Sequence, residues 1–366
     1  MKYKVPYIDL PLQFKTLEKE LTSEFKRVMS EGSFILRDDV KKFEENMASY
    51  LGVRSVIGVN SGTDALYLAT EVLGIGPKDE VITVAHSFVA TVASIVKRGA
   101  NTVFVDIYDD FNMNVDKVEE KITDRTKAII PVHLNGRCCR MNKLESLAEK
   151  YGLEIIEDSA QALGAMYLGK KTGSFGIMGC FSSHPLKILS CAGDGGFIST
   201  NNDKVAEKLR ILRDHGQKTK TDLRSFGYNS RLDNLQAAIL NVKFQHLNDY
   251  ISRRRQIASI YSENLKDLPL VLPPKPSDGE FFDTYNSYVI RSKNRDELFS
   301  SLKSKDIEVF VHITKPLYEH EKLGLENPHL QKNERICGEI LSLPIYPEMT
   351  NTQVDYVVDS IHKFFK

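Results

Sequence analysis

Lys187 stands in the stretch CFSSHPLKILSCAGDGG, residues 180–196, with no carboxylate among the five residues on either side. A lysine set among hydroxyls, proline and apolar side chains loses its charge readily, because burial disfavours the ammonium form. The neutral amine is a nucleophile that condenses with carbonyls. Gly193, Gly195 and Gly196 follow closely and open backbone turns closed to other residues. Taken alone, Lys187 reads as a solvated loop residue. What sets it apart is the chemistry standing at other strand ends.

After the apolar run SVIGVN comes Ser61-Gly62-Thr63-Asp64, at the start of a helical pattern. Gly62 lets the backbone approach closely, Ser61 and Thr63 supply hydroxyls, and the free N–H groups of a helix start attract an anion such as phosphate. The same residues also suit an ordinary helix cap. Asp158 closes the apolar run LEIIE. A carboxylate buried there needs a cationic or N–H partner, which a protonated pyridine nitrogen would be; a capping role for the next segment is the other reading. Phe88, at the end of EVITVAHS, can stack on a flat ring or simply pack in the core. A phosphate cup, a carboxylate for a ring nitrogen, a ring to stack and an amine for an aldehyde are together the parts of a pyridoxal phosphate site.

The elements that must position these groups follow from hydrophobic patterning. Phe14, Leu17, Leu21, Phe25 and Val28 fall on one helical face that Gly32 ends, and a second helix runs from about Asp39 to Tyr50 with Val40, Phe43 and Met47 inward. Short apolar strands and helices then alternate: SVIGVN, EVITVA, TVFVDI, KAIIPVHL and LEIIED are strands, with helices between them, one of them near residues 115–122. That pattern signals a parallel sheet covered on both faces, whose ligands lie beyond the carboxyl ends of the strands. IMGCFSS and GFIST read as strands flanking Lys187, and residues 232–265 as one long or slightly broken helix. The Pro-rich LPLVLPPKPSDGE marks a boundary; beyond it SYVIR and EVFVH read as strands, RDELFSSLKSK and QVDYVVDSIHKFF as helices. The expected organisation is an N-terminal segment and large domain over 1–245, then a linking helix and small α/β domain over 246–366.

Composition narrows the function. The chain has 366 residues, 49 basic and 49 acidic, so no charge excess points to nucleic acid or an anionic membrane. No apolar run is long enough to span a bilayer, and MKYKVPYIDL lacks the apolar core of a signal peptide. Five cysteines without a CxxC pair read as reduced thiols. A cytoplasmic location is expected. Nine histidines without HExxH or paired Cys/His spacing disfavour a metal hydrolase, and no metal is expected.

The chain resembles the fold-type-I pyridoxal phosphate enzymes and, within them, the DegT/StrS family of nucleotide-sugar aminotransferases. The resemblance runs through YIDLPLQ, GSFIL, NSGTDAL, the PVHL strand, EDSAQALGA, SHPLK with GDGG, DHGQ, GYNSRLDNLQAA and LSLPIYPEMT, nearly the whole length. It implies an α/β fold, a large domain with a mainly parallel mixed sheet sandwiched by helices and a smaller C-terminal α/β domain. It implies pyridoxal 5'-phosphate, alternating with its pyridoxamine form, as cofactor. Lys187 would bond the cofactor and shuttle its proton, Asp158 would hold the pyridine nitrogen, and Gln161 would meet the ring-hydroxyl side. Phe88 would stack on the ring, and Gly62, Thr63 and Ser182 would bind the phosphate. Asn229 is similar to the residue that members lend to the neighbouring subunit's phosphate, which implies a homodimer with shared sites. His184, Arg231 and His312 resemble positions on the sugar-nucleotide side; His184 and His312 read equally as structural histidines.

Departures from the family pattern leave the cofactor residues themselves unchanged. Arg37-Asp38 stands where Gly-Pro is frequent, His133-Leu134-Asn135-Gly136 replaces HLYG, Ile188 follows the lysine in place of Asn, and His312-Ile313-Thr314 replaces an HYP-type motif. All can border the sugar pocket. The implied reaction moves an amino group from L-glutamate to a keto sugar of a nucleoside diphosphate sugar. YIDLPLQ resembles members that aminate C3, so a dTDP-linked 3-keto-6-deoxyhexose is the first choice and a UDP-linked 3-keto or 4-keto sugar the second. Related sugar dehydratases carry histidine where Lys187 stands here, and a non-catalytic regulatory relative would lack site residues that this chain keeps.

Overall fold

Consecutive residues of a strand face opposite sides of a sheet, and in this chain both sides are apolar, so helices must cover both. The computed structural model describes residues 3–366; Met1 and Lys2, at the head of the stretch read for a signal peptide, lie outside it. Two helices lead, α1 (Leu10–Glu31) and α2 (Asp38–Leu51). Strands β1 (Ser55–Val59), β2 (Glu80–Val84), β3 (Asn101–Val105), β4 (Thr126–Ile129) and β5 (Glu154–Asp158) then alternate with α3 (Gly62–Val72), α4 (Val89–Val96) and α5 (Met141–Tyr151). Short strands β6 (Met166–Tyr167) and β7 (Lys170–Lys171) precede β8 (Met178–Ser182) and β9 (Gly196–Thr200). After α6 (Asp203–Leu212) comes the hairpin β10 (Gln217–Thr219) and β11 (Asp222–Leu223), then α7 (Asn234–Phe244) and α8 (Leu247–Leu265). The rest is β12 (Phe281–Phe282), β13 (Tyr288–Arg291), α9 (Arg295–Ser304), α10 (Gln331–Glu339), β14 (Ile340–Leu343) and α11 (Asn351–Phe365).

The main sheet has seven strands in the order β1-β9-β8-β5-β4-β2-β3. The run from β8 to β3 is parallel, and β9 lies antiparallel to both β8 and β1. It is the expected mainly parallel mixed sheet. Ile57, Val81 and Ile156 pack with α3 and α6 on one face. Ile82 and Ile155 pack with α5 on the other, where Val56, Phe181 and Phe197 meet α2 and α7. Among the described residues no helix is long and apolar enough to cross a membrane, and all five cysteines are buried free thiols.

Several elements differ from the sequence expectation, each for a local reason. Two 3-10 turns, Val115–Lys117 and Glu119–Lys121, replace the helix near 115–122. The long helix breaks at Gln245 and His246, whose N–H groups bond the carbonyls three residues back rather than four; the tighter turn is the 3-10 pattern. The two parts of α8 serve different cores, Leu247 and Ile251 beside α2 and α7, Ile257, Tyr261 and Leu265 in the C-terminal cluster. EVFVH forms no strand; Phe310 makes a single bridge to Ser342, and β13 pairs with β14 instead. Helix α10 was not anticipated, because its cap is distant: the Lys332 and Asn333 N–H groups donate to the Asp106 carboxylate at 3.3 and 3.1 Å.

The start of the chain is stitched to this C-terminal unit. Val5 N–H donates to the Asp306 carbonyl (3.0 Å) and Glu308 N–H to the Val5 carbonyl (2.9 Å). Val5 is fully buried among Ile257, Leu298 and Ile307.

Candidate active site

Lys187 sits in a loop whose two ends are tied together. The Ser183 N–H donates to the Gly195 carbonyl (2.8 Å) and the Cys191 N–H to the Ser183 carbonyl (2.7 Å). Gly195 is required there, since a Cβ would lie 2.3 Å from the Cys191 sulfur. The Lys187 side chain is half-buried, and among the described residues it makes no ion pair within 4.0 Å (all such pairs involve other groups). Burial lowers its pKa to about 8, against the pull of the Asp158 charge in the other direction. A sizeable share of this amine is therefore neutral near pH 8 and able to attack a carbonyl.

Asp158 ends β5, and its neighbour Glu157 shows why the pair is not redundant. Successive side chains take opposite faces. Glu157 is fully buried and accepts N–H bonds from Gly173 (2.7 Å), Phe175 (2.7 Å) and Gly176 (2.9 Å), with His133 Nε2 at 2.9 Å. Cys139 N–H donates to His133 Nδ1 (3.0 Å), so the ring proton sits on Nε2 and is given to Glu157. Asp158 turns the other way. Thr91 Oγ1 donates to its Oδ2 (2.7 Å) and Ala160 N–H to its Oδ1 (3.2 Å). Burial still raises its pKa, while Thr91, Ala160 and the Lys187 charge oppose that rise. Thr91 has one hydroxyl proton, so Ser87 Oγ, 2.7 Å away, is the donor to Thr91.

At the β1–α3 junction the helix-cap reading holds. Ser61 is the N-cap, its Oγ accepting from Asp64 N–H (3.0 Å). The Gly62 and Thr63 N–H groups stand at the open helix end. A Cβ on Gly62 would lie 2.7 Å from Ser182 Cβ and 3.1 Å from Ser182 Cα, so the glycine lets α3 close on the end of β8. Phe88 follows β2 as the N-cap of α4 and is 67% exposed; core packing is not its fate. Gln161 Oε1 accepts from Asn135 N–H (2.9 Å), which joins it to the left-handed turn at Asn135.

The remaining sequence candidates spread out. Asn229 is exposed beside the β10–β11 hairpin, bridged to Asp214, and the next residue, Ser230, donates to Asp64 in α3 (2.7 Å). His184 Nδ1 accepts from Leu186 N–H (3.2 Å), a turn bond just before Lys187; partial burial and the Lys187 charge lower its pKa. Arg231 donates to Asp214 (2.9 Å). His312 Nε2 and the Tyr7 hydroxyl share a bond of 3.0 Å, and Phe310 stacks on the ring at 5.6 Å. Burial and then the Lys187 charge lower its pKa. Thr91, Ser87 and Glu157 were given no role by sequence reasoning, and only their closeness to Phe88 and Asp158 hinted at them; His133, read as able to border the sugar pocket, is fully buried against Glu157.

This donor set fits pyridoxal phosphate: an open helix end closed on by a glycine, a buried acid with donors on both oxygens, an uncovered aromatic face and an amine of lowered pKa. With the seven-stranded sheet, it defines the class as a pyridoxal-phosphate-dependent transferase of fold type I. Residues 15–362 match the profile of the DegT/DnrJ/EryC1/StrS aminotransferase family, and the chain belongs to that family. It is 43% identical to a Geobacillus stearothermophilus protein named a pleiotropic regulatory protein, covering 99% of both chains. It is 36% identical to the Streptomyces venezuelae dTDP-3-amino-3,4,6-trideoxy-alpha-D-glucose transaminase, over 99% of this chain and 96% of that one. The crystal structure of DesV from S. venezuelae superposes with a TM-score of 0.95 at 35% identity, covering 100% of this chain and 99% of that one. Solved relatives of this fold carry the cofactor in its PLP or PMP form.

Proposed function

We propose that this protein transfers the amino group of L-glutamate to a keto sugar of a nucleoside diphosphate sugar, giving 2-oxoglutarate and the amino sugar. The observation that carries this reading is the pairing of a half-buried lysine of pKa about 8 with a buried acid whose charge it feels. Bound pyridoxal phosphate supplies an electron sink that stabilises the carbanion formed when a carbon next to nitrogen loses its proton. The chain supplies the rest. Lys187 Nζ holds the cofactor at rest and, once released, carries the proton. Asp158 keeps the ring nitrogen protonated. Gln161 meets the ring-hydroxyl side, Phe88 covers one ring face, and Gly62, Thr63 and Ser182 bind the phosphate.

A homodimer with shared sites is part of the proposal. Asn229 reaches the neighbouring subunit's phosphate, beside Phe226 at 99% and Leu223 at 71% exposure, apolar side chains that a partner surface would cover. His184, Arg231 and His312 border the sugar nucleotide. The first-choice acceptor is a dTDP-linked 3-keto-6-deoxyhexose, in keeping with relatives named as dTDP-3-amino sugar transaminases. A UDP-linked 3-keto sugar follows, in keeping with a relative named as a 3-aminotransferase of such a sugar. The regulatory name of the 43% identical relative does not displace this reading, because every residue of the cofactor set is present. The expected location is cytoplasmic.

The test has two arms. Purified protein is yellow and bleaches with glutamate, whereas Lys187→Ala neither retains the cofactor covalently nor completes that half-reaction; a fully active alanine variant overturns the lysine assignment. Incubation with glutamate and a panel of dTDP- and UDP-keto sugars, read by product mass and NMR, gives the acceptor, and amination at C4 overturns the C3 assignment.

A further inference from the structure

Lys243, on α7, is a buried lysine, 6% exposed, and no role above uses it. Its Nζ donates to Gln13 Oε1 on α1 (2.8 Å) and to Ser190 Oγ (3.0 Å), three residues beyond Lys187. Among the described residues it makes no carboxylate contact within 4.0 Å (none of the ion pairs involves it), so its head is satisfied by neutral oxygens alone. Burial lowers its pKa, against the Cys191 thiol and the Glu348 carboxylate nearby. Glu348, close enough for its charge to be felt, is itself raised in pKa by burial, and its Oε2 is buried without a hydrogen-bond partner. A buried ammonium is costly where an apolar side chain of the same length would pack more easily. What the ammonium does that methionine cannot is join three separate pieces of chain.

One of those pieces is the loop that carries Lys187. That loop is tied at its base by backbone bonds, and its C-terminal half is held by α7 at two points. Gln236 grips the backbone of Ala192, accepting its N–H (2.9 Å) and donating to its carbonyl (3.2 Å). Lys243 grips the side chain of Ser190, itself buried. Resting on the assignment of Lys187 above, we propose that Lys243 is a positioning residue that fixes the Lys187 loop against α7 through Ser190. Gln13 orients the ammonium from α1, so the loop's placement depends on that helix as well. With its ammonium taken up by Gln13 and Ser190, Lys243 acts through the loop.

The test uses the full chain, first without cofactor. Lys243→Met and Ser190→Ala are each followed by hydrogen exchange and mass spectrometry of peptides covering residues 184–195. The amides of Cys191 and Ala192 are expected to exchange at least about tenfold faster in either variant, the least that losing a charge-assisted hydrogen bond implies. Protection of the sheet strands stays as in the parent protein. The double variant shows no more than the larger single effect, because one contact is removed twice. In the cofactor-loaded protein, the pH titration of the cofactor's absorption band moves in both variants. Unchanged loop exchange in Ser190→Ala, or protection lost evenly through the sheet in Lys243→Met, overturns the proposal. Ser190→Ala removes only a hydroxyl, so it decides the matter even if Lys243→Met fails to fold. Lys187→Ala, run alongside, separates the two ideas: covalent attachment in that variant refutes the Lys187 assignment and leaves the exchange result standing.

Discussion

At Asp158 the donors are shared out one per oxygen, Thr91 on one side and the Ala160 N–H on the other. Losing a hydrogen bond to a charged group costs about 1.5–3 kcal/mol. Thr91→Val is expected to destabilise the protein by an amount in that range at neutral pH. The sign of the pH effect follows from burial, which raises the folded-state pKa of Asp158 above that of an unfolded carboxyl. The cofactor-free protein therefore gains stability from this residue as pH falls through the raised value and loses it as pH rises. Thr91→Val raises the value further and shifts that gain to higher pH. Thermal melts of cofactor-free protein across the acid range check this, and a profile matching the parent's would mean that the hydroxyl does not support the carboxylate. Gly62 and Asp158 drew attention in the sequence because each stands at the end of an apolar run, where such chemistry gathers, and Lys187 because it lies in a loop without carboxylates that follows such a run. Thr91 and Tyr7 were not, because their partners lie 67 and 305 positions away. Phe88 was ambiguous from its type alone; only its exposure separates a stacking ring from a core one.

Helix α3 works as an element through its approach to β8, and Gly62 is the point of closest contact. A methyl group there meets Ser182 Cβ at 2.7 Å, a separation that forces the helix start and the strand end apart. Gly62→Ala is expected to weaken cofactor binding by at least about tenfold, since moving phosphate donors by even an ångström loses their bonds. Ser182→Gly in the same chain relieves the clash and restores part of the affinity. Equilibrium dialysis of the single and double variants measures this, and an unaffected Gly62→Ala would remove the phosphate cup from this junction. The strands and helices of the main sheet could be read from the sequence because their periodicity is local. Helix α1 shows the limit of that reading: Phe14 and Phe25 fall on its apolar face yet stay 49% and 48% exposed. Helix α10 shows the opposite failure, a polar segment that turns helical because Asp106 from another part of the chain caps it.

For the whole molecule, the exposed apolar groups Leu223 and Phe226 are where a second copy is expected to sit. Each apolar side chain taken out of water contributes about 1.5–3 kcal/mol. Leu223→Asp with Phe226→Glu should therefore weaken self-association by at least about a hundredfold. Sedimentation velocity over a concentration series reads this directly, and an unshifted dimer places the contact elsewhere. The seam between Val5 and residues 306–308 bears on how the protein is made. Ribosomes add about 5–20 residues per second, so Val5 leaves the tunnel many seconds before its neighbours are translated. The main sheet is complete by residue 200, while that early apolar segment must wait, uncovered, for a later part of the message. Its exposure to chaperones and proteases is set by elongation speed rather than by the stability of the finished protein.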